Sequence, residues 1–299
     1  MTIDQDKLKL KIQELLGKEI IQYVLKGTGY CNNAYYVETS GGGKYIVKEE
    51  LGDKKSSEQN DLVIEGRLIQ KLSRLNLSVP LPKIVFVYEN PKMYGYEYIQ
   101  GETMKNLWGS LPDKDRVSIF RSLGKFHAEI GKKFTKEMAQ ESGIGINMST
   151  DLHPELVERY KRLIIDDSIP KEYRDFVKHA KGIFDGTLDR VFFQFTHNDA
   201  HHENVLVQDK KISGIIDFGD AEYGEIAGEF YRYIIDYPDY FQHVISAYEE
   251  ESGNKLSYER LVSIALLNGF GDIMKDYQKG GENRKKAERS IELYRTLLR

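Results

Sequence analysis

Apolar residues recur at helical spacing through residues 5–16 (QDKLKLKIQELL), where Leu8, Ile12, Leu15 and Leu16 predict an amphipathic helix. The period then changes. EIIQYVLKG and NNAYYVETS read as strands joined through Gly27-Thr28-Gly29, Gly41-Gly42-Gly43 marks a turn, and residues 44–48 (KYIVK) read as the next strand of an antiparallel meander. A helical pattern returns over 58–75 with Leu62, Leu68, Leu72 and Leu75, and Pro80 and Pro82 close it. IVFVYE and YGYEYIQ supply two further strands.

From Gly101 onward the pattern is mostly helical. Residues 113–131 have an acidic start at Asp113 and apolar positions at Val117, Phe120, Leu123, Phe126 and Ile130; 151–187 and 256–299 also read as helices. Between them lies a β-rich island, FFQFTHNDAHHENVLVQDKKISGIIDFGD. The order predicts an α+β, bilobal fold: residues 1–100 as a small lobe of antiparallel sheet plus helix, and 101–299 as a larger, mainly helical lobe. Two lobes of this kind can clamp a nucleotide between them.

Composition narrows the function without naming it. Forty per cent hydrophobic and 30% charged residues suit a soluble globular chain of 299 residues, enough for two lobes each with a core of its own. A net charge of -4 carries no global signature of nucleic-acid binding. The lone Cys31 excludes an intramolecular disulfide. The amphipathic N-terminus lacks a signal peptide's apolar core, and the longest apolar runs are too short to span a membrane. The expectation is a cytoplasmic chain with no membrane or nucleic-acid partner. No long heptad pattern suggests assembly, so a monomer is expected.

The chemistry concentrates in His197-Asn198-Asp199-Ala200-His201-His202-Glu203-Asn204, followed by Ile215-Ile216-Asp217-Phe218-Gly219-Asp220. Phosphoryl transfer needs positioning and charge neutralisation more than covalent chemistry. One carboxylate must lie beside an acceptor hydroxyl, and hard oxygen ligands must hold Mg²⁺ on a triphosphate. Asp199 and Asn204 lie five apart on a loop after a strand, and a hairpin between them and Asp217 would bring Asp217 back beside Asn204. His201-His202-Glu203 is a poor metal cluster, because consecutive residues point in different directions. His197 reads as a brace of the loop, and His127 as a core histidine.

The H-x-D-x-x-x-x-N loop and the I-I-D-F-G-D segment resemble the aminoglycoside phosphotransferase family, small-molecule kinases of the protein-kinase-like superfamily. His201 stands where serine/threonine kinases carry Lys, and no A-P-E follows Asp217-Phe218-Gly219. The resemblance implies a nucleotide-covering loop at Gly27 and Gly29. It implies Lys48 on the α- and β-phosphates of ATP or GTP, held by Glu65 rather than by Glu58 or Asp61. It implies a hinge where backbone groups of Glu97 and Ile99 meet the base and Tyr96 gates the pocket behind. Asp199 becomes the catalytic residue, and Asn204 and Asp217 the Mg²⁺ ligands. Acidic residues from 217 to 239 outnumber basic ones, so Asp220, Glu222, Glu225, Glu229 and Asp236 are candidates to meet a cationic acceptor such as an aminoglycoside, while Tyr223, Tyr231, Tyr233, Tyr237 and Tyr240 offer stacking surfaces or core. The family's usual Gly-Asp-Pro is absent, and Glu229 stands near the place of its later Asp. Alternatives are a homoserine, choline, methylthioribose or ketosamine kinase, or a nucleotide-binding pseudokinase.

Overall fold

In the computed structural model, which describes residues 5–29, 31–51, 61–188 and 190–298, the meander forms part of a five-stranded antiparallel sheet. Its strands are β1 (Ile20–Thr28), β2 (Asn32–Thr39), β3 (Lys44–Glu50), β4 (Ile84–Glu89) and β5 (Lys92–Glu97), in the order β1-β2-β3-β5-β4. Side chains alternate between its faces. Tyr35, Val37, Val47 and Met93 join a cluster with Leu8 and Ile12 of helix α1 (Gln5–Leu16). Lys48 pairs with Ala34 on one side and Tyr94 on the other, so these three residues share a face.

Helix α2 (Leu62–Leu72) starts at Asp61, whose carboxylate accepts the N–H groups of Val63 (2.8 Å) and Ile64 (3.3 Å). The earlier start expected at residue 58 lies outside the described residues. Leu75 falls in a 3₁₀ turn (Ser73–Leu75) that ends at Asn76 in the left-handed region, φ 51°. A Cβ on Gly66 would sit 2.9 Å from Val87 Cγ2 and 3.0 Å from Tyr94 Cβ. Glycine therefore lets α2 lie close on the sheet, and this seats neighbouring Glu65 at the strand that carries Tyr94.

The larger lobe holds α3 (Met104–Leu107), α4 (Asp113–Lys133), α5 (Lys136–Ser142), α6 (Pro154–Leu163), α7 (Lys171–Gly186), α8 (Ala227–Asp236), α9 (Phe241–Ser252), α10 (Tyr258–Lys279) and α11 (Gly281–Leu297). The 256–299 stretch divides at Gly280 and Gly281, whose φ angles of 74° and 53° end α10. Six short strands make two three-stranded sheets. In one, β6 (Glu102–Thr103) and β10 (Lys211–Ile215) flank β9 (Val205–Gln208); in the other, β7 (Gly145–Ile146) and β8 (Phe193–Thr196) flank β11 (Glu222–Glu225).

The fold is α+β. Among the described residues the small lobe has a core of its own under α1, from Leu8 and Ile12 to Val37, Val47 and Met93. Its other face is shared: a second cluster runs from Leu68, Ile69 and Leu72 of α2 through Tyr94 and Tyr96 to Phe120, Phe126, Phe195 and Phe230 of the larger lobe. No helix among the described residues is long and apolar enough to cross a membrane.

Candidate active site

Lys48 is 5% exposed and Glu65 4%. A buried cation at this position needs partners. Lys48 Nζ lies 3.2 Å from Glu65 Oε1 and 2.8 Å from Asp217 Oδ1. Burial alone would lower the Lys48 pKa, but the charges around it, Glu65 foremost and Asp217 among them, hold it well above its ordinary value. The Lys48 cation in turn pulls the Asp217 carboxyl down. Glu65 Oε1 also accepts the backbone N–H of Phe218 at 2.9 Å, so one carboxylate ties α2 to the strand lysine and to the D-F-G segment. Asp61 is committed elsewhere, capping α2 and pairing with Lys92 at 2.6 Å. Glu58 lies outside the described residues.

The 197–204 loop leaves β8 and enters β9. Asn204 Nδ2 donates to the carbonyl of Asp199 (2.9 Å) and to its carboxylate Oδ2 (2.8 Å). The β9–β10 hairpin then returns the chain, and Ile216 N–H donates to Asn204 O at 3.0 Å, which brings the segment of Asp217 alongside. His197 bridges the two strands: its Nδ1 accepts the Asp199 N–H at 3.2 Å, and its Nε2 donates to Ile216 O at 3.1 Å. Burial holds this imidazole down to about 4, so it works as a neutral brace. His127 is likewise held down to about 3 by burial; its Nε2 meets Tyr233 Oη at 2.9 Å, and that hydroxyl donates to Ala200 O at 2.9 Å. Because the tyrosine proton goes to a carbonyl, the histidine must be the donor in its own bond.

The structure revises three of the five acidic candidates. Glu229 is 3% exposed and faces the loop rather than the cleft: its Oε2 accepts the backbone N–H groups of His197 (2.5 Å) and Asn198 (2.9 Å). Glu225 is consumed by Arg260, a fully buried guanidinium that meets both its oxygens at 2.6 and 2.7 Å. Asp236 lies 3.4 Å from His202 Nδ1, in a cavity of about 700 Å³ whose lining also carries Arg159, Arg232 and Lys286. The acidic surplus therefore narrows to a second cavity of about 450 Å³ beside the loop. Asp151, Asp220, Glu222 and the Arg260-paired Glu225 line it with Asn198, His153, Tyr231 and Asn268, and among the described residues no lysine or arginine does. Of the five tyrosines, Tyr233 and Tyr237 are core, whereas Tyr231 lines both cavities.

Glu229 also gives a pH signature. Burial pushes its carboxyl up to about 7, against the opposing pull of the backbone N–H groups. An unfolded glutamate titrates near 4.5, so between about pH 4.5 and 7 the folded chain holds the extra proton. Stability from this group falls as pH rises through that window and levels off above it. Glu229→Gln keeps an acceptor for the two N–H groups and removes the slope. Urea unfolding at about pH 5 and pH 8 should show the wild type losing roughly 2–3 kcal/mol more than the variant. Equal losses in both proteins would contradict a proton-holding carboxyl.

The nucleotide side shows a comparable division of labour. Gly29 N–H donates to Asn32 O at 2.8 Å in the β1–β2 turn, and a Cβ at Gly27 would meet nothing within 4 Å. The chain's own packing does not require these glycines, and the open backbone is free to approach a ligand. Tyr96 is buried beside Tyr94, ring centroids 6.1 Å apart. The N–H of Glu97 already donates to Lys83 O at 3.0 Å, so of its backbone pair only the carbonyl remains for a base. Ile99 packs toward Gly214, where an added Cβ would lie 2.8 Å from Ile99 Cδ1.

Asn204 gives both amide hydrogens to Asp199, which leaves its Oδ1 as an acceptor; Asp217 has Oδ2 beyond the oxygen that meets Lys48. Two hard oxygens on adjacent strand ends suit Mg²⁺, which takes few protein ligands. Asp217, two residues past the end of β10, adopts φ 67°, in the left-handed region that non-glycine residues rarely occupy. Among the described residues no group of three His, Cys, Asp or Glu side chains could hold a metal, so His201-His202-Glu203 makes no such site. Arg260 escapes the sequence reading, and Asn198 has no role in it. The signal for Arg260 is weak: it sits one residue after Glu259, at the start of a largely apolar stretch, Leu261–Leu267.

A two-lobed fold with a buried lysine–glutamate pair reaching a D-F-G aspartate, and a separate carboxylate on a braced loop, defines a kinase-like phosphotransferase acting on small molecules. The sequence pattern of the phosphotransferase enzyme family (APH) matches residues 27–261, and the chain belongs to that family. Among solved structures, the GDP and kanamycin complex of APH(2″)-IIIa is 17% identical, with 98% of each chain covered and a TM-score of 0.69. The apoenzyme of a macrolide 2′-phosphotransferase from Brachybacterium faecium is 17% identical over 94% of this chain and 96% of its own, TM-score 0.67. The streptomycin–ATP complex of APH(2″)-IIa is 16% identical over 93% and 90%, TM-score 0.60. No curated protein matches the chain.

Proposed function

We propose that the chain transfers the γ-phosphate of ATP or GTP to a hydroxyl of a small cationic acceptor, of the aminoglycoside kind. The observation that carries this reading is the convergence of Lys48, Glu65 and Asp217 through contacts of 2.8–3.2 Å, next to an Asp199 whose carboxylate is fixed by Asn204. Lys48 would neutralise the α- and β-phosphates, and the Gly27–Gly29 turn would cover them. Asn204 and Asp217 would hold Mg²⁺, which when bound neutralises charge on the phosphate oxygens. Asp199 accepts a hydrogen bond from the acceptor hydroxyl and aims it in line; in a loose transition state this orientation outweighs early proton removal.

The carboxylate-lined cavity favours an amine-bearing acceptor over the neutral alternatives. Relatives of this fold have been captured with kanamycin and with streptomycin, which accords with that choice. The test is nucleoside-diphosphate release with ATP or GTP and Mg²⁺ across aminoglycosides, macrolides, choline, homoserine and simple sugars. The double variant Asp220→Asn/Glu222→Gln should raise KM for a polycationic acceptor about tenfold, as expected for lost charge-assisted hydrogen bonds, and leave KM for the nucleotide unchanged. An unchanged acceptor KM would move the acceptor site elsewhere. Turnover confined to a neutral hydroxyl compound would keep the chemistry and overturn the acceptor class.

A further inference from the structure

Two histidines of the 197–204 loop repeat one device. In each, Nδ1 accepts the backbone N–H two residues on: Asp199 for His197 and Glu203 for His201, both at 3.2 Å. A nitrogen that accepts carries no proton, so the proton of the neutral ring sits on Nε2. His197 gives its Nε2–H to Ile216 O. His201 turns its Nε2 toward Asp199 Oδ1, 3.4 Å away. The other carboxylate oxygen, Oδ2, is held by Asn204 Nδ2 at 2.8 Å.

We infer that His201 is a positioning residue for phosphoryl transfer, clamping Asp199 Oδ1 as Asn204 clamps Oδ2, so that the carboxylate meets the acceptor in one orientation. The inference rests on the phosphotransferase reading above and adds a residue to it. Neighbouring side chains are committed elsewhere: His202 faces Asp236, and Lys105 takes the Glu203 carboxylate. Because the Glu203 N–H fixes the ring, His201 stays aimed without a partner from another element. A contact of 3.4 Å needs only a few tenths of an ångström to close, and catalytic hydrogen bonds commonly shorten when substrate arrives. Fixing both oxygens removes rotation of the carboxylate before the hydroxyl binds, which is where orientation contributes to rate.

The test compares His201→Leu with His201→Gln, whose amide N–H can reach the place of Nε2. The leucine variant should lose about tenfold in kcat while KM for nucleotide and acceptor stays within about twofold, and the glutamine variant should recover most of the loss. A structural role would give equal deficits in both variants, and that result overturns the inference, as does an unchanged kcat in His201→Leu. A second readout needs neither acceptor nor turnover: histidine-selective ¹⁵N spectra of the wild-type chain should show His201 as the Nε2–H tautomer, with its Nε2 signal moving in Asp199→Asn. An Nδ1–H tautomer, or a signal indifferent to that substitution, rejects the clamp. If the wild-type chain transfers no phosphate, the phosphotransferase reading has failed, and the spectra still decide the geometry.

Discussion

Asp199→Asn should lower turnover about a thousandfold while leaving nucleotide affinity within about twofold. The reasoning is geometric. Asp199 sits on the loop between β8 and β9, braced by His197, Asn204 and Glu229, whereas Lys48 and Glu65 stand on the sheet and α2. Asparagine keeps the size of the side chain but no longer offers two equivalent acceptor oxygens to a hydroxyl. The phosphate-facing groups are untouched, so binding and chemistry separate. Titration of the nucleotide against both proteins, with turnover measured alongside, checks the split. A parallel loss of affinity in a folded variant would place Asp199 in nucleotide binding instead.

Arg260→Met should produce the largest loss of stability. The guanidinium is fully buried and bonds Glu225 through both oxygens, the carbonyl of Phe184 at 2.7 Å and that of Thr150 at 2.8 Å; it also lies 3.9 Å from the Phe184 ring centroid. It thus joins α10, β11, α7 and the segment before α6, the walls of the carboxylate-lined cavity. Removing it leaves a shielded carboxylate and two carbonyls without their donor, at a cost of about 3–5 kcal/mol, or on the order of 10 °C in melting temperature. Arg260→Lys should recover little, because an ammonium cannot reproduce the fork. Glu225→Gln added to Arg260→Met should regain part of the loss by removing the stranded charge. Thermal unfolding of the three variants checks this, and a drop of less than about 1 kcal/mol in Arg260→Met would show that the clamp is not what holds these elements.

Local pattern carried far where a residue's role follows from its neighbours in sequence. The α1 period, the meander and the α4 stripe all stand in the structure with boundaries close to those expected. The spacing of Asp199, Asn204 and Asp217 anticipates the hairpin that brings their segments together. Charge counting failed where burial decides. Glu225 and Glu229 look like Asp220 and Glu222 in sequence, but one meets an arginine 35 residues away and the other caps a loop about 30 residues upstream. Read by its acidic residues alone, 217–239 hides helix α8, whose Phe230 and Tyr233 belong to the shared core. The shared core itself is invisible to periodicity, which shows that α2 has an apolar face but not that the face is buried with the larger lobe.

The central claim is transfer of the terminal phosphate to an organic hydroxyl, and γ-labelled nucleotide tests it most directly. With Mg²⁺ and an amine-bearing hydroxyl acceptor, the label should appear in the acceptor for the wild type and be absent from it for Asp199→Asn. Label found only in inorganic phosphate, or reaching the acceptor equally well in the variant, would contradict the account.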